Sequence, residues 1–265
     1  MKLFGQQRRS IVQHQIDWQL WQQQKLGQHL LGYERALLSP HIKRKLGRHL
    51  FQLSIAGCEP IYDSSPMPYQ SFAQISCAGD KRKVPSNSSL IVEPCYLPVA
   101  NDALDGIILH HVLEYTRNPH QVLREAHRTL TSGGLLFIVN FNPWSMMGMR
   151  RMLTFSRKAP WSGSYRSAMR LCDWLKLLGF EVEVIQYAFF NPPLNAREKG
   201  ASDNWIEHFG KKYNCFFGST YAIVARKQTA GMIPLREIRI TRRVLAFPIT
   251  EPTTRNLKAS DEKDL

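Results

Sequence analysis

The stretch LPVANDALDGIILHHVLEYTRNPHQVLREAHRTLTSGGLLFIVNFNPWS, residues 97–145, decides the fold of this chain. Its two apolar runs, at 104–110 and 135–141, are nearly continuous, which is typical of strands covered on both faces in a parallel sheet. The residues between these runs have helical spacing, and Gly133 and Gly134 are placed to end the helix. A strand, a helix and a strand joined by short links form a βαβ unit, so this stretch predicts an α/β domain.

The segments on both sides of this unit continue the alternation of strands and helices. Strands are predicted at 49–55, 71–77, 89–93, 180–185 and 220–226, and a further helix at 165–178. Residues 1–48 are predicted to form a helical cap, because a Gln-rich tract there carries apolar residues at helical spacing, with a kink or break expected at Pro40. The α/β domain is therefore expected to span 49–228, followed by a basic C-terminal extension with a disordered tail over 229–265.

The composition is that of an ordinary globular protein with a strong positive charge. The chain has 265 residues, 43% of them apolar, and a net charge of +14, which excludes collagen-like, coiled-coil and largely disordered classes. The charge favours an anionic partner, either nucleic acid, acidic lipid or an acidic metabolite. Five scattered cysteines without CxxC spacing argue against a disulfide framework or zinc finger and favour a cytoplasmic protein. No apolar run approaches the ~20 residues of a membrane span.

The order of motifs in 97–145 resembles the class I S-adenosylmethionine-dependent methyltransferases, and most closely the type 11 group. The matching elements are Leu97-Pro98, Asp105, His111 to Glu114, Arg124 to Leu130, and Gly133-Gly134. The FNPWS element at 141–145 and the DWLKLLGF segment at 173–180 resemble a bacterial subgroup of that family. The resemblance implies a Rossmann-like, seven-stranded, mainly parallel sheet with helices on both faces and an antiparallel last strand. It also implies S-adenosylmethionine as a cofactor lying across the carboxyl ends of the first four strands.

The same resemblance implies which residues meet the cofactor. Gln52 stands where the family has an acidic residue, so the usual negative charge near the methionine part is missing. Glu93 takes the place of the acid that meets the adenine amino group, and Asp80 or Asp63 is the candidate for the ribose hydroxyls. The full set of expected cofactor contacts, which includes a degenerate glycine-rich loop, is Gln52, Ser54, Ala56, Gly57, Asp80, Glu93, Cys95 and His110.

Four residues that follow the central strands are candidates for chemistry. Because neighbouring side chains on a strand point oppositely, only one of His110 and His111 is expected to face the cleft, with His111 preferred as a general base. Asn142 is a candidate for orienting a polar acceptor and Trp144 for the floor of its pocket; alternatively, this turn only anchors the loop after it. No His, Cys and acidic residues have metal-ligand spacing, so no metal site is predicted.

Two functions remain open from the sequence. The first is methyl transfer to a small molecule, preferred over RNA, and Arg150 and Arg151 after the FNPWS element favour an anionic acceptor. The second is a catalytically silent methyltransferase fold that binds nucleic acid or a protein partner through its basic surface, as Gln52 and the lost glycines suggest. The sequence names neither the acceptor nor the oligomeric state.

Overall fold

The residues that the structure describes form a seven-stranded sheet. The computed structural model describes residues 17–18, 20–44, 47–55, 58–75, 90–154, 160–190 and 205–228. The strands are β1 (His49–Ser54), β2 (Tyr69–Ile75), β3 (Leu90–Val92), β4 (Leu104–His110), β5 (Leu130–Phe141), β6 (Phe180–Ala188) and β7 (Thr220–Lys227). Their order is β3-β2-β1-β4-β5-β7-β6, and β7 pairs antiparallel with both of its neighbours. The predicted mainly parallel sheet, with its antiparallel last strand, is confirmed.

The described helices are α1 (Lys25–Lys43), α2 (Val112–Tyr115), α3 (Pro119–Thr129), α4 (Met146–Thr154), α5 (Ala168–Leu177) and α6 (Trp205–Lys212). The structure differs from expectation at the first of them, because α1 continues through Pro40 instead of breaking there. Leu38 and Ile42 lie on either side of this proline and are both buried in the core. Proline has no backbone N–H, so the helix loses one hydrogen bond at Pro40. Packing of an apolar face supplies most of a helix's stability, and this packing retains the last turn.

Helix α1 covers one face of the sheet. Its buried stripe of Leu30, Leu31, Leu38 and Ile42 follows the three- and four-residue spacing of a helix face. The last three of these residues join a core cluster with sheet residues such as Leu50, Ile108, Phe137 and Val224. Each buried leucine or isoleucine of this kind contributes about 1.5–3 kcal/mol. One charged residue, Glu34, lies within the same buried stripe. Its carboxylate contacts two histidines at the carboxyl end of β4.

The cysteines bear on the expectation that the chain has no disulfide framework. The four cysteines in the described residues, Cys58, Cys95, Cys172 and Cys215, are free thiols, as their scattered spacing predicts. Cys77 and the C-terminal extension from residue 229 lie outside the described residues.

Among the helices that the structure describes, none combines the length and apolar character that crossing a bilayer requires.

Candidate functional site

The carboxyl ends of β1 and β4 lie side by side at the point where the strand order reverses. Ser54, the last residue of β1, is in register with His110, the last residue of β4. Ligands of open α/β sheets bind in the crevice outside the carboxyl ends of the strands at such a reversal. The residues that follow β4 therefore occupy the position at which this fold places its functional groups.

Both histidines at the end of β4 point to the same carboxylate. His110 Nε2 lies 2.9 Å from Glu34 Oε2, and His111 Nε2 lies 3.0 Å from Glu34 Oε1. The expectation that only one histidine would face the cleft is wrong, because it assumed extended backbone. His111 has a φ of 55°, in the left-handed region, which turns its ring toward the side that His110 faces. Such a conformation is uncommon outside glycine and is concentrated at functional sites.

A second carboxylate completes the arrangement. Glu114 Oε2 lies 2.9 Å from His111 Nδ1, and the other oxygen of Glu114 accepts a hydrogen bond from the backbone N–H of Phe141. Glu34, His110, His111 and Glu114 are only 0 to 2% exposed, and together we call them the His–Glu cluster. Buried charged groups are stable only when paired, and here each carboxylate is paired with at least one imidazole.

The cluster strongly perturbs the protonation of its members. Burial by itself raises the pKa of Glu34, but the charge of His111 and the hydrogen bonds from both imidazoles outweigh it and lower this pKa to about 2. Burial by itself lowers the pKa of His111, but the carboxylates of Glu34 and Glu114 raise it to about 10. At neutral pH His111 is thus a cation whose two ring nitrogens are both occupied. An imidazole with a proton on both nitrogens accepts no further proton, so this arrangement does not favour the general-base role predicted for His111, which stays a prediction.

An aromatic residue from the N-terminal region closes over the cluster. Trp18 is 1% exposed, and its ring centroid lies 5.1 Å from that of His111 and 5.9 Å from that of Phe141. Its indole N–H donates to the sulfur of Cys58 at 3.0 Å. Sequence reasoning missed both Trp18 and Glu34 as site residues. The available signal for Glu34 was a carboxylate placed within the apolar stripe of a helix.

At β1, the residues predicted to contact cofactor are engaged with each other. Gln52 is fully buried; its amide nitrogen donates to the hydroxyl of Ser54 at 2.8 Å, and its amide oxygen accepts from the backbone N–H of Ile61 at 2.9 Å. These bonds tie β1 to the segment that follows it. Ala56, Gly57 and Asp80 lie outside the described residues. Asp63 precedes β2 along the chain, so it is not at the carboxyl end of that strand, and this alternative for the ribose contact is wrong.

The end of β3 carries the carboxylate that the sequence predicted to contact adenine. Glu93 is exposed directly after β3, and its backbone forms a bridge with Tyr96 that turns the chain there. Its carboxylate is therefore available to accept a hydrogen bond from an adenine amino group. Cys95, two residues after Glu93, is buried, and burial raises the pKa of its thiol, so the thiol is neutral; its predicted contact with the cofactor stays a prediction.

After β5, Asn142 and Trp144 have different roles. The side-chain amide of Asn142 donates to the backbone carbonyls of Phe216 and Gly218, and its oxygen accepts from the N–H of Trp144 at 3.1 Å. Asn142 thus fixes the turn, with both of its amide hydrogens used and its side chain buried, and its role toward an acceptor stays a prediction. The ring of Trp144 is 67% exposed, so it is accessible and stays a candidate acceptor contact.

Comparisons with known proteins agree with this fold. Residues 70–138 match the family model described as a methyltransferase domain. The Escherichia coli K12 protein YafS, described as uncharacterized, is 32% identical over 210 residues, which cover 77% of this chain and 78% of YafS. The chain therefore belongs to the class I methyltransferases that use S-adenosylmethionine as cofactor, in the same family as YafS.

Two solved structures show the same fold at low sequence identity. A chain in the complex between the Haloferax volcanii Trm112 methyltransferase activator and a candidate methyltransferase has a TM-score of 0.55 and 14% identity. That comparison covers 82% of this chain and 98% of the other. A candidate methyltransferase from Bacillus halodurans has a TM-score of 0.50 and 15% identity, over 74% of this chain and 99% of its own.

Proposed function

We propose that this methyltransferase acts on a small-molecule acceptor with an apolar body and a negative charge. The observation that carries the proposal is the surface after β5, where Trp144, Met146 and Met149 expose their side chains at the carboxyl edge of the sheet. Two arginines follow them: Arg150 and Arg151. An apolar surface next to fixed positive charge suits an amphiphilic anion.

The chemistry asks little of the protein beyond alignment. S-adenosylmethionine supplies a methyl group that is already activated on its sulfonium. The residues of this chain then have to hold the acceptor in line with that methyl and exclude water. His111 is a paired cation in the described arrangement and removes no proton. The proposal therefore favours an acceptor that attacks as an anion, or that loses its proton to solvent.

Cofactor binding by the full chain is the first experiment. In titration calorimetry and thermal unfolding we expect S-adenosylmethionine and S-adenosylhomocysteine to bind and to raise the unfolding temperature. A ligand at 100 times its dissociation constant adds ~2.7 kcal/mol of stability. No heat and no thermal shift at millimolar ligand would contradict the enzymatic proposal and favour the silent, nucleic-acid- or protein-binding alternative.

The acceptor is the second experiment. With cofactor labelled at its methyl group, we expect label in an anionic small molecule from pooled metabolites and none in total RNA. Trp144→Ala is expected to raise KM for that acceptor at least several-fold and to leave cofactor affinity unchanged. The exposed Met169 on α5 provides a control, since Met169→Ala is expected to change neither quantity. Label in RNA alone, or an unchanged KM in Trp144→Ala, would exclude this acceptor proposal.

Glu93 is expected to be the carboxylate that matters for the cofactor. Glu93→Ala leaves an adenine amino donor without a partner in the closed complex, which costs ~1–3 kcal/mol, or about 5-fold to 140-fold in dissociation constant. Asp63→Ala serves as the matched control, because Asp63 is an exposed carboxylate that precedes β2. Calorimetric titration of both variants tests this, and equal affinities would show that adenine is held elsewhere.

We further propose the domain limits and location that the sequence suggested. Residues 49–228 constitute the methyltransferase domain, 1–48 its helical cap and 229–265 a basic extension. The burial of Trp18 and Glu34 against the end of β4 supports the assignment of 1–48 as a cap. Limited proteolysis with mass spectrometry tests these domain limits, and cleavage first near residues 48 and 228 is the expected pattern.

The proposed location is the cytoplasm. The free thiols of the described cysteines are consistent with its reducing conditions.

A further inference from the structure

We propose that Glu34, His110 and His111 form a site for a divalent transition-metal ion, with zinc as the best match. The sequence predicted no such site, because Glu34 precedes the two histidines by about 76 residues and no local spacing links them. The fold brings the three together at the carboxyl end of β4. This proposal is independent of the identity of the methyl acceptor.

The donor atoms already have the proximity that a metal requires. One ligand atom from each of the three side chains lies within 4.8 Å of the other two. An ion with tetrahedral bonds of ~2.0–2.2 Å has ligand atoms ~3.3–3.6 Å apart, so the contacts of 2.9 and 3.0 Å between the Glu34 oxygens and the histidine nitrogens would widen by a few tenths of an ångström when an ion replaces the hydrogen-bonded protons. Two imidazoles and one carboxylate leave a fourth position, as in zinc sites that bind water or substrate.

The backbone at His111 supports the proposal separately. Two consecutive residues of a strand direct their side chains to opposite faces, and only the left-handed φ of 55° at His111 makes the two rings converge. Holding a residue other than glycine in that region costs about 1–3 kcal/mol and persists where the surroundings over-determine it. Here it brings the Nε2 atoms of both histidines to the Glu34 carboxylate, which is the grouping of donors that an ion would share.

The partners around the three ligands are those of a metal site. In a histidine that binds a metal through one ring nitrogen, the N–H of the other nitrogen usually donates a hydrogen bond to a carboxylate, which fixes the tautomer. Glu114 provides that carboxylate to His111 Nδ1 at 2.9 Å, and an ion would bind His111 Nε2 in place of the present hydrogen bond to Glu34. His110 Nδ1 has no nitrogen or oxygen partner among the described residues, and the thiol of Cys58 lies against it.

The donor chemistry of the cluster also matches a divalent transition metal. The carboxylates of Glu34 and Glu114 lie in a space that is 0 to 2% exposed, and the proton on His111 Nε2 that now pairs with Glu34 would leave when an ion takes that nitrogen. A mixed nitrogen and oxygen donor set favours zinc over calcium or magnesium, which prefer oxygen alone.

Metal binding to the wild-type chain is the decisive measurement. The full chain, freed of any affinity tag and treated with chelator, is titrated with Zn²⁺ alone and with Co²⁺ alone. We expect one equivalent of each to bind, a tetrahedral absorption spectrum for Co²⁺, and two paramagnetically shifted imidazole N–H signals. Absence of stoichiometric binding, or a Co²⁺ complex without shifted imidazole signals, would overturn the proposal. No methyl donor is present, so the result is separate from the test of the proposed function.

Variants assign the ligands. Glu34→Gln and His110→Gln are expected to weaken Zn²⁺ binding at least 100-fold, and Glu114→Gln 10-fold to 100-fold through the orientation of His111. His120→Gln is the matched control, because His120 is exposed on α3 and packs on Trp174. Circular dichroism checks that each variant is folded. Wild-type affinity in a folded Glu34→Gln or His110→Gln protein would overturn the assignment, and if those variants do not fold, the Co²⁺ signals of the wild type decide it.

Discussion

Replacing Glu34 with alanine is expected to lower the free energy of unfolding by about 3–5 kcal/mol, the usual cost of removing one partner of a buried ion pair. Glu34 accepts from His110 at 2.9 Å and from His111 at 3.0 Å, and none of the three is more than 1% exposed. The substitution leaves both imidazoles without this partner in a space that excludes water. Urea unfolding of the metal-free protein in chelator measures the effect.

The next residue along α1 provides the control for this prediction. Arg35 pairs with Glu59 at 3.0 Å, but both side chains are exposed to solvent. Exposed pairs are worth about 1 kcal/mol or less, so Arg35→Ala is expected to change the unfolding free energy by no more than that. Equal losses in Glu34→Ala and Arg35→Ala would contradict the special role of the His–Glu cluster.

The loss in Glu34→Ala is also expected to depend on pH. The pKa of Glu34 is lowered from 4.5 to about 2, so its contribution to stability is present above pH 4.5 and disappears as the pH falls toward 2. The pKa of His111 is raised from 6.5 to about 10, so its contribution is present below pH 6.5 and disappears as the pH rises toward 10. The difference between wild type and variant should be largest between pH 4.5 and 6.5. A difference that does not vary with pH would contradict the pairing.

Replacing Trp18 with alanine is expected to lower the free energy of unfolding by about 3–5 kcal/mol, as for other fully buried tryptophans. Trp18 is 1% exposed and packs on His111, Tyr115 and Phe141, with ring centroids 5.1 to 5.9 Å apart. Its removal opens a cavity over the His–Glu cluster and also removes the hydrogen bond to Cys58. Urea unfolding monitored by circular dichroism measures this loss without relying on tryptophan fluorescence.

Trp144→Ala is the matched control for Trp18→Ala. The same side chain is removed from a position that is 67% exposed, where substitutions usually change stability by less than about 0.5 kcal/mol. A loss below about 1 kcal/mol in Trp18→Ala would show that the N-terminal region contributes little to the site. A large loss in Trp144→Ala would show that this ring is a packing residue rather than an acceptor contact.

The sequence by itself determined the sheet. The apolar run at 104–110 predicted β4 with its observed ends, and the run at 135–141 predicted the buried part of β5. Local spacing also predicted α3 and α5 to within a few residues. These features are readable because burial on both faces of a strand, or on one face of a helix, imposes a short periodic pattern on neighbouring residues.

The functional site depended on the tertiary structure. Glu34 and His110 are 76 positions apart, so no local pattern connects them. The left-handed φ of His111 reversed the expected direction of one ring, and a sequence without glycine there carries no sign of it. Likewise, nothing in the segment around Gln52 shows that its amide is already bonded to Ser54 and Ile61. Periodicity records which face of an element is buried, whereas the partner of a buried polar group is set by the packing of distant elements, here α1 across the end of β4.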